Sequence, residues 1–159
     1  MIRCSDCGQG TMIEGRVQDY DASALVGLDA VVLRSAPALV CDRCGHVMFE
    51  GKVIEEVTHE LARLVVRHGD DLRPNEIRFL REVIGMTQAE LAERLGMSRA
   101  TVNRWETGSD GTGSVSSLAV RTLVAWSLND VELAREIGAP RRARALPLAP
   151  PCKLGTIAA

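Results

Sequence analysis

Thr87 to Gly108, TQAELAERLGMSRATVNRWETG, confines this chain to one local arrangement: two short helices joined by a tight turn. Thr87 with Glu90 three residues on forms a capping box, in which hydroxyl and carboxylate each take a backbone N–H that a helix start leaves without a partner. A helix therefore begins at Gln88. Leu91, Ala92 and Leu95 share one face of it, and Gly96 stands where a chain leaves a helix through a left-handed turn. Ser98 is a preferred N-cap for a second helix. Its Val102 and Trp105 should turn inward beside Met97, which leaves Arg99, Ala100, Thr101, Asn103 and Arg104 facing out.

A polar helix presented this way fits the major groove of DNA, and the layout is that of a helix-turn-helix reader. The arginine fork matches the two acceptors of guanine and an amide pairs with adenine, chemistries that Arg104 and Asn103 supply. Gln88 sits at a helix N-terminus, where free N–H groups and the positive dipole end favour a phosphate, so it is expected to position rather than read. The candidate DNA-binding residues are Gln88, Ser98, Arg99, Ala100, Thr101, Asn103 and Arg104. An amphipathic hairpin with a solvated polar face would share the periodicity, but not the cap, the glycine at its offset and the outward polar helix together. Arg81, in the preceding helix, and Glu106 resemble the ion pair that ties the first helix to the end of the reading helix in this domain type.

Four of the five cysteines form two matched pairs, Cys4-Ser5-Asp6-Cys7 and Cys41-Asp42-Arg43-Cys44. Two residues between thiols let both sulfurs face one ion, and two such knuckles complete a tetrahedron around zinc. Gly8 and Gly45 follow directly, where a tight turn requires positive φ. Cys4, Cys7, Cys41 and Cys44 are thus the candidate ligands of one structural zinc ion. A redox CxxC usually stands alone near a helix N-terminus, and a catalytic zinc keeps an open position that four thiolates do not leave. His46 could in principle replace a cysteine, but the four-thiol set is already complete. Cys152 reads as a bystander thiol, and His59 and His68 as surface residues of a connecting helix. The segment between the knuckles reads as β structure, with strands at Thr11 to Val17, Ala30 to Leu33 and Ala38 to Val40. A unit this small buries little core, so metal binding should supply much of its folding free energy.

The chain has 159 residues, 46% hydrophobic and 25% charged, with a net charge of −2. That length suits two small domains, and no apolar run is long enough to cross a membrane. MIRCSDCGQG lacks the apolar core of a secretory peptide, and the expected location is the cytoplasm. Residues 1–50 carry four arginines against seven acids, whereas residues 72–108 carry six arginines against five. The expected fold class is α+β. A β-rich zinc ribbon (1–50) comes first, then a connecting helix (51–70), then an all-α helix-turn-helix bundle of about five helices (71–138), with the domain boundary near Asp70. Residues 139–159, with Arg141, Arg142, Arg144 and Lys153 but no acid, are expected to be a flexible tail. After the second helix, Ser109 to Ser114 reads as a flexible loop. The apolar face formed by Leu118, Val120, Leu123, Val124 and Trp126 is then expected either to make a twofold dimer contact or to complete the monomer core. No nucleophile, base and orienting acid cluster by motif, which argues against an enzyme.

The order of parts, CSDCG to CDRCG, a helix, then RPNEIRFLREVIGMTQAELAERLGMSRATVNRWETG, resembles the MqsA-type antitoxins, with a YgiT-type zinc finger and an Xre-like helix-turn-helix, over residues 1 to 138. The resemblance implies that the zinc ribbon binds a cognate ribonuclease toxin and that the C-terminal domain dimerises on operator DNA and represses its own operon. Arg104 matches the family's base-reading arginine. The family's base-reading asparagine lies four positions earlier, at Ala100 here, which implies a different operator, with Asn103 or Arg99 compensating. The acidic N-terminal part suits a basic ribonuclease. Two alternatives stand beside this reading: a stand-alone zinc-ribbon regulator without a toxin, and a sensor whose four thiols switch DNA affinity in response to metal or redox state.

Overall fold

The computed structural model describes residues 2–69, 71–138 and 157–158. The chain divides into two compact units, one running to Val57 and taking in the strand at 157–158, the other starting at Thr58.

The first unit is an antiparallel sheet in the order β1 (Ile2–Arg3), β2 (Thr11–Asp21), β3 (Val32–Cys41), β4 (Val47–Met48). Its frame is one long hairpin, in register from Met12 opposite Cys41 to Asp21 opposite Val32. Val17, Ala36 and Ala38 are buried on it. The hairpin is closed by a four-residue helix, α1 (Ser23–Val26), where the Asp21 carboxylate accepts the Ser23 N–H at 2.9 Å and the Ser23 hydroxyl accepts the Val31 N–H at 3.0 Å.

Two strand expectations change. Strand β2 runs on to Asp21, and the expected strands at Ala30 to Leu33 and Ala38 to Val40 are one continuous β3. Pro37, inside this continuous strand, faces Arg16 in the register. On the outer side of β3, β4 pairs only at Leu39 and Val40 and β5 (Ile157–Ala158) only at Val32 and Leu33. Pro37 lies on the open edge between them, where a missing N–H is tolerated. The strand β5 also departs from the expected flexible tail, because the edge of β3 offers unpaired backbone groups to it. The basic residues Arg141, Arg142, Arg144 and Lys153, and Cys152, lie outside the described residues.

Helix α2 (Gly51–Arg67) matches the connecting helix, but the units divide within it, between Val57 and Thr58, rather than near Asp70. The chemistry of its second half explains the shift. Leu61, Ala62 and Val66 are buried, and Arg63 and Arg67 each pair with a carboxylate near or on α7 (Val131–Gly138), Asp130 and Glu136, at 3.0 Å. Asp130 serves twice, since its other oxygen caps α7 by accepting the Leu133 N–H at 2.9 Å.

The five helices expected for the bundle are α3 (Pro74–Val83), α4 (Gln88–Leu95), α5 (Arg99–Thr107), α6 (Gly113–Ser127) and α7. Each contributes to one core, in which Ile77, Leu80, Leu91, Val102, Val120, Val124 and Leu133 are wholly buried. Proline opens α3 and the Arg73 N–H reaches the Glu76 carboxylate at 2.8 Å. The segment before it is pinned through Leu72, whose N–H donates to buried Ser117 of α6 and whose carbonyl accepts from Thr112. No helix among the described residues is long and apolar enough to cross a membrane.

A fragment of residues 58–138 should therefore melt several degrees above one of residues 71–138, because burying Leu61 alone is worth about 2 kcal/mol. Equal midpoints by circular dichroism would return the boundary to Asp70.

Candidate metal centre and nucleic-acid interface

In the first unit the hairpin register brings the two knuckles together. Cys41 ends β3 opposite Met12 of β2, and Cys4 follows β1, with its N–H bonded to the Gly10 carbonyl at 2.9 Å. The four sulfurs all lie within 4.8 Å of one another. Cys4 and Cys44 are 3.7 Å apart and Cys7 and Cys41 3.8 Å, far beyond a disulfide. Four thiolates at ~2.3 Å from one ion stand ~3.8 Å apart along the edges of their tetrahedron, so these residues fit a four-sulfur metal site.

The surroundings fit anions. The Gly10 N–H points at Cys7 Sγ at 3.4 Å, and the N–H groups of Arg43 and Cys44 at Cys41 Sγ at 3.5 Å. Backbone donors at Gln9 and Gly10 bring the Cys7 thiol down to about 6, and those at Cys44 and Arg43 lower Cys41. Cys44 behaves oppositely. The His46 backbone lowers it, but burial and the three neighbouring sulfurs outweigh that and push it up to about 12. Met12 and Leu39 pack on the cluster and form its apolar wall.

Gly8 and Gly45 adopt positive φ, +65° and +73°, as the turns require. Two supporting residues were not evident from the spacing. A Cβ on Gly10 would collide with Cys41 Sγ and come within 2.8 Å of Asp42 Oδ1. Asp42 in turn accepts the Thr11 N–H at 2.9 Å and ties the second knuckle to the start of β2. His46, beside the second knuckle, is outside the four-sulfur group.

In the second unit the capping predictions are met in detail. Thr87 Oγ1 accepts the Glu90 N–H at 3.2 Å while the Thr87 N–H donates to Glu90 at 2.7 Å, and α4 ends on Gly96 at φ +66°. Ser98 caps α5 by accepting the Thr101 N–H at 3.1 Å, and α5 ends on Gly108 at φ +75°. Val102 and Trp105 are buried; Met97, expected beside them, is 39% exposed because it lies in the turn rather than on α5. Arg99, Ala100, Asn103 and Arg104 are exposed and Thr101 is half-buried.

Beneath that outer face lies a buried ion pair. Arg81 Nε and Nη2 meet the two oxygens of Glu106 at 2.6 and 3.1 Å, and Arg81 Nη1 donates to the Met86 carbonyl at 2.8 Å. The Arg81 and Glu106 side chains are only 12% and 5% exposed. The Gln88 side chain donates to Glu106 Oε2 at 2.9 Å and more weakly to Asn103 Oδ1 at 3.4 Å, with its backbone at the N-terminus of α4. Burial opposes ionisation of Glu106, but hydrogen bonds from Arg81 and Gln88 outweigh it and hold its carboxyl below the usual range. Arg104, the expected guanine reader, has Asp110 at its Nε, 2.5 Å away.

Three outcomes follow. Arg81→Ala should lower stability by about 2–3 kcal/mol, because it strands a buried carboxylate, whereas Arg78→Ala, which breaks an exposed pair, should cost under about 1 kcal/mol. Because the Glu106 value is lowered on folding, its stabilisation is complete above the unfolded carboxylate range and fades as pH falls through the folded value; Glu106→Gln should flatten that acid limb in urea titrations. Gly10→Ala should cut bound metal per chain and unfold the first unit, leaving the helical transition of the second in place, as metal analysis and far-UV melting would show.

Compared with known families, residues 77–114 match the family model described as helix-turn-helix, from α3 through α5 into the start of α6. No curated protein matches the chain. The matched segment is a helix-turn-helix unit of the kind that DNA-binding transcriptional regulators carry, and it contains the capped outward helix and the ion pair beneath it.

Proposed function

We propose that this protein is a dimeric transcriptional regulator that reads duplex DNA with α5 and carries a zinc-braced unit for a protein partner. The observation that carries the DNA reading is α5 itself. It is capped at both ends, fixed from beneath by Glu106, and turns Arg99, Ala100, Asn103 and Arg104 to solvent. Arg104 supplies the guanine-reading fork and Asn103 or Arg99 a second base contact. Ser98 and Thr101, at the start of α5, and the N-terminus of α4 at Gln88 meet phosphates.

The assignment of zinc rests on four sulfurs at tetrahedral spacing with backbone N–H groups aimed at them. Dimerisation is supported by α6. Val115 is 81% exposed, Trp126 71% and Leu118 45%, so Trp126 does not complete the monomer core. These side chains flank a groove shared with Arg94 and Leu95 of α4. Apolar groups gathered on one face of a small unit favour a second copy related by a twofold axis, which would set two reading helices on inverted half-sites about one DNA turn apart.

A finer reading rests on the order of the modules, a four-cysteine sheet followed by a helix-turn-helix unit. In that reading the first unit captures a ribonuclease toxin and the second represses the operon encoding both. Recovery of a small basic ribonuclease bound to the protein in its native host supports it; recovery of the protein without one leaves a stand-alone regulator.

Arg104→Ala should weaken binding to the cognate site by about 1–3 kcal/mol with much less effect on mixed-sequence DNA, in titrations at fixed salt. Uniform weakening would place Arg104 on a phosphate. Trp126→Asp should give a monomer in sedimentation and lose affinity for a two-half-site duplex; an unchanged dimer would remove α6 from the contact.

A further inference from the structure

The loop after α5 folds back onto the helix it follows. Gly108 turns the chain, and the N–H groups of Ser109 and Asp110 both bond to the Arg104 carbonyl, at 2.9 and 3.3 Å. Thr107 Oγ1 lies 3.1 Å from Ser109 Oγ and itself donates to the Asn103 carbonyl at 3.0 Å. This backbone anchoring delivers the Asp110 carboxylate to Arg104 Nε. Thr101 Oγ1 lies 3.5 Å from Nη2 of the same guanidinium, and the Ser98 hydroxyl lies 2.9 Å from Thr101 Oγ1.

Both members of the Arg104–Asp110 pair are about half exposed, 49% and 52%. An ion pair that wet adds little to stability, so folding does not account for it. Its geometry has a different consequence. A guanidinium carries five N–H donors in a rigid fork, and guanine N7 and O6 are matched by the two terminal nitrogens. Asp110 takes Nε and Thr101 only a long contact at Nη2, which leaves Nη1 and the second Nη2 hydrogen as the donors for a guanine. A side chain with many rotamers is thereby ordered before it meets DNA, which reduces the entropy lost on binding. The carboxylate also sets a negative charge beside a helix that must approach phosphates, which weakens attraction to every sequence alike.

We propose that Asp110 is a positioning residue for sequence readout: it holds the Arg104 guanidinium by Nε so that its two terminal nitrogens can meet one guanine, and its charge lowers affinity for DNA that lacks that guanine. This rests on the reading of α5 as the DNA-facing helix, and it widens the gap between specific and non-specific binding from both sides.

The test uses the full-length chain and duplexes selected from a randomised library, followed by titration of the best selected duplex and a mixed-sequence duplex at several salt concentrations. Asp110→Ala should bind the selected duplex about tenfold more weakly, the scale of one hydrogen bond to a charged group. On the mixed duplex it should bind equally or more tightly, with a steeper salt dependence. Asp110→Glu should recover part of the selected-site affinity and the preference for guanine. In an Arg104→Ala background, Asp110→Ala should cause no further loss on the selected duplex. The proposal is overturned if Asp110→Ala matches the wild type on both duplexes, or if its loss on the selected duplex persists undiminished in the Arg104→Ala background. A different result, in which the wild type enriches no sequence at all, would instead remove the reading of α5 on which the proposal stands.

Discussion

Glu106 is the point on which the helix-turn-helix unit turns. Its carboxylate receives two bonds from Arg81 of α3 and one from Gln88 of α4, so three helices are joined at the last turn of α5 by one buried charge. A buried carboxylate tolerates few arrangements of its donors. The outward set of α5 is therefore aimed by a contact on its inner side, and Arg104, Asn103 and Arg99 gain a fixed orientation they could not obtain from solvent. Arg81 extends the constraint to the Met86 carbonyl, which holds the turn between α3 and α4. The apolar core of Leu80, Leu91, Val102 and Val124 supplies most of the stability, whereas the polar network sets the angle at which α5 is shown.

The first unit reaches order by a different route. Val17, Val26, Leu28, Val31 and Leu33 are buried in it, and at the knuckles four sulfurs walled by Met12 and Leu39 take the place of further apolar packing. Pairing Met12 with Cys41 makes the sheet register and the metal geometry the same fact, since a slip of one residue would turn Cys41 to the other face. Gly10 marks how tightly the two knuckles approach, because even a methyl group there meets a sulfur. A cation completes such a site both sterically and electrically, and sulfurs this close would otherwise keep some of their protons.

Features set by local chemistry were legible in the sequence. The capping box at Thr87, the cap at Ser98, the left-handed glycines at 96 and 108 and the four cysteines each depend on residues a few positions apart, and all stand where their spacing put them. The Arg81–Glu106 pair was also foreseen, from the type of domain rather than from the spacing. Features set by tertiary partners were not. That β3 runs unbroken through Pro37 depends on which stretch of its edge goes unpaired, which no local spacing announces. The bond from the Gln88 side chain to Glu106 was not foreseen, because nothing nearby in sequence announces a carboxylate eighteen residues on. The end of the first unit fell at Val57 instead of Asp70 because Arg63 and Arg67 choose partners near the far end of the bundle. Asp110 sat in a stretch of serine and glycine whose composition reads as a linker, and only the bonds from the Ser109 and Asp110 N–H groups to the Arg104 carbonyl disclose the fold-back.

The central claim is that α5 enters a major groove and reads guanine there. It is tested most directly by methylation interference with the intact protein: duplex fragments sparsely methylated at guanine N7 are bound, and the retained and rejected pools are compared base by base. The account predicts that N7-methylated guanines are depleted from the retained pool at two symmetric positions about one helical turn apart. Identical methylation patterns in the two pools would contradict it.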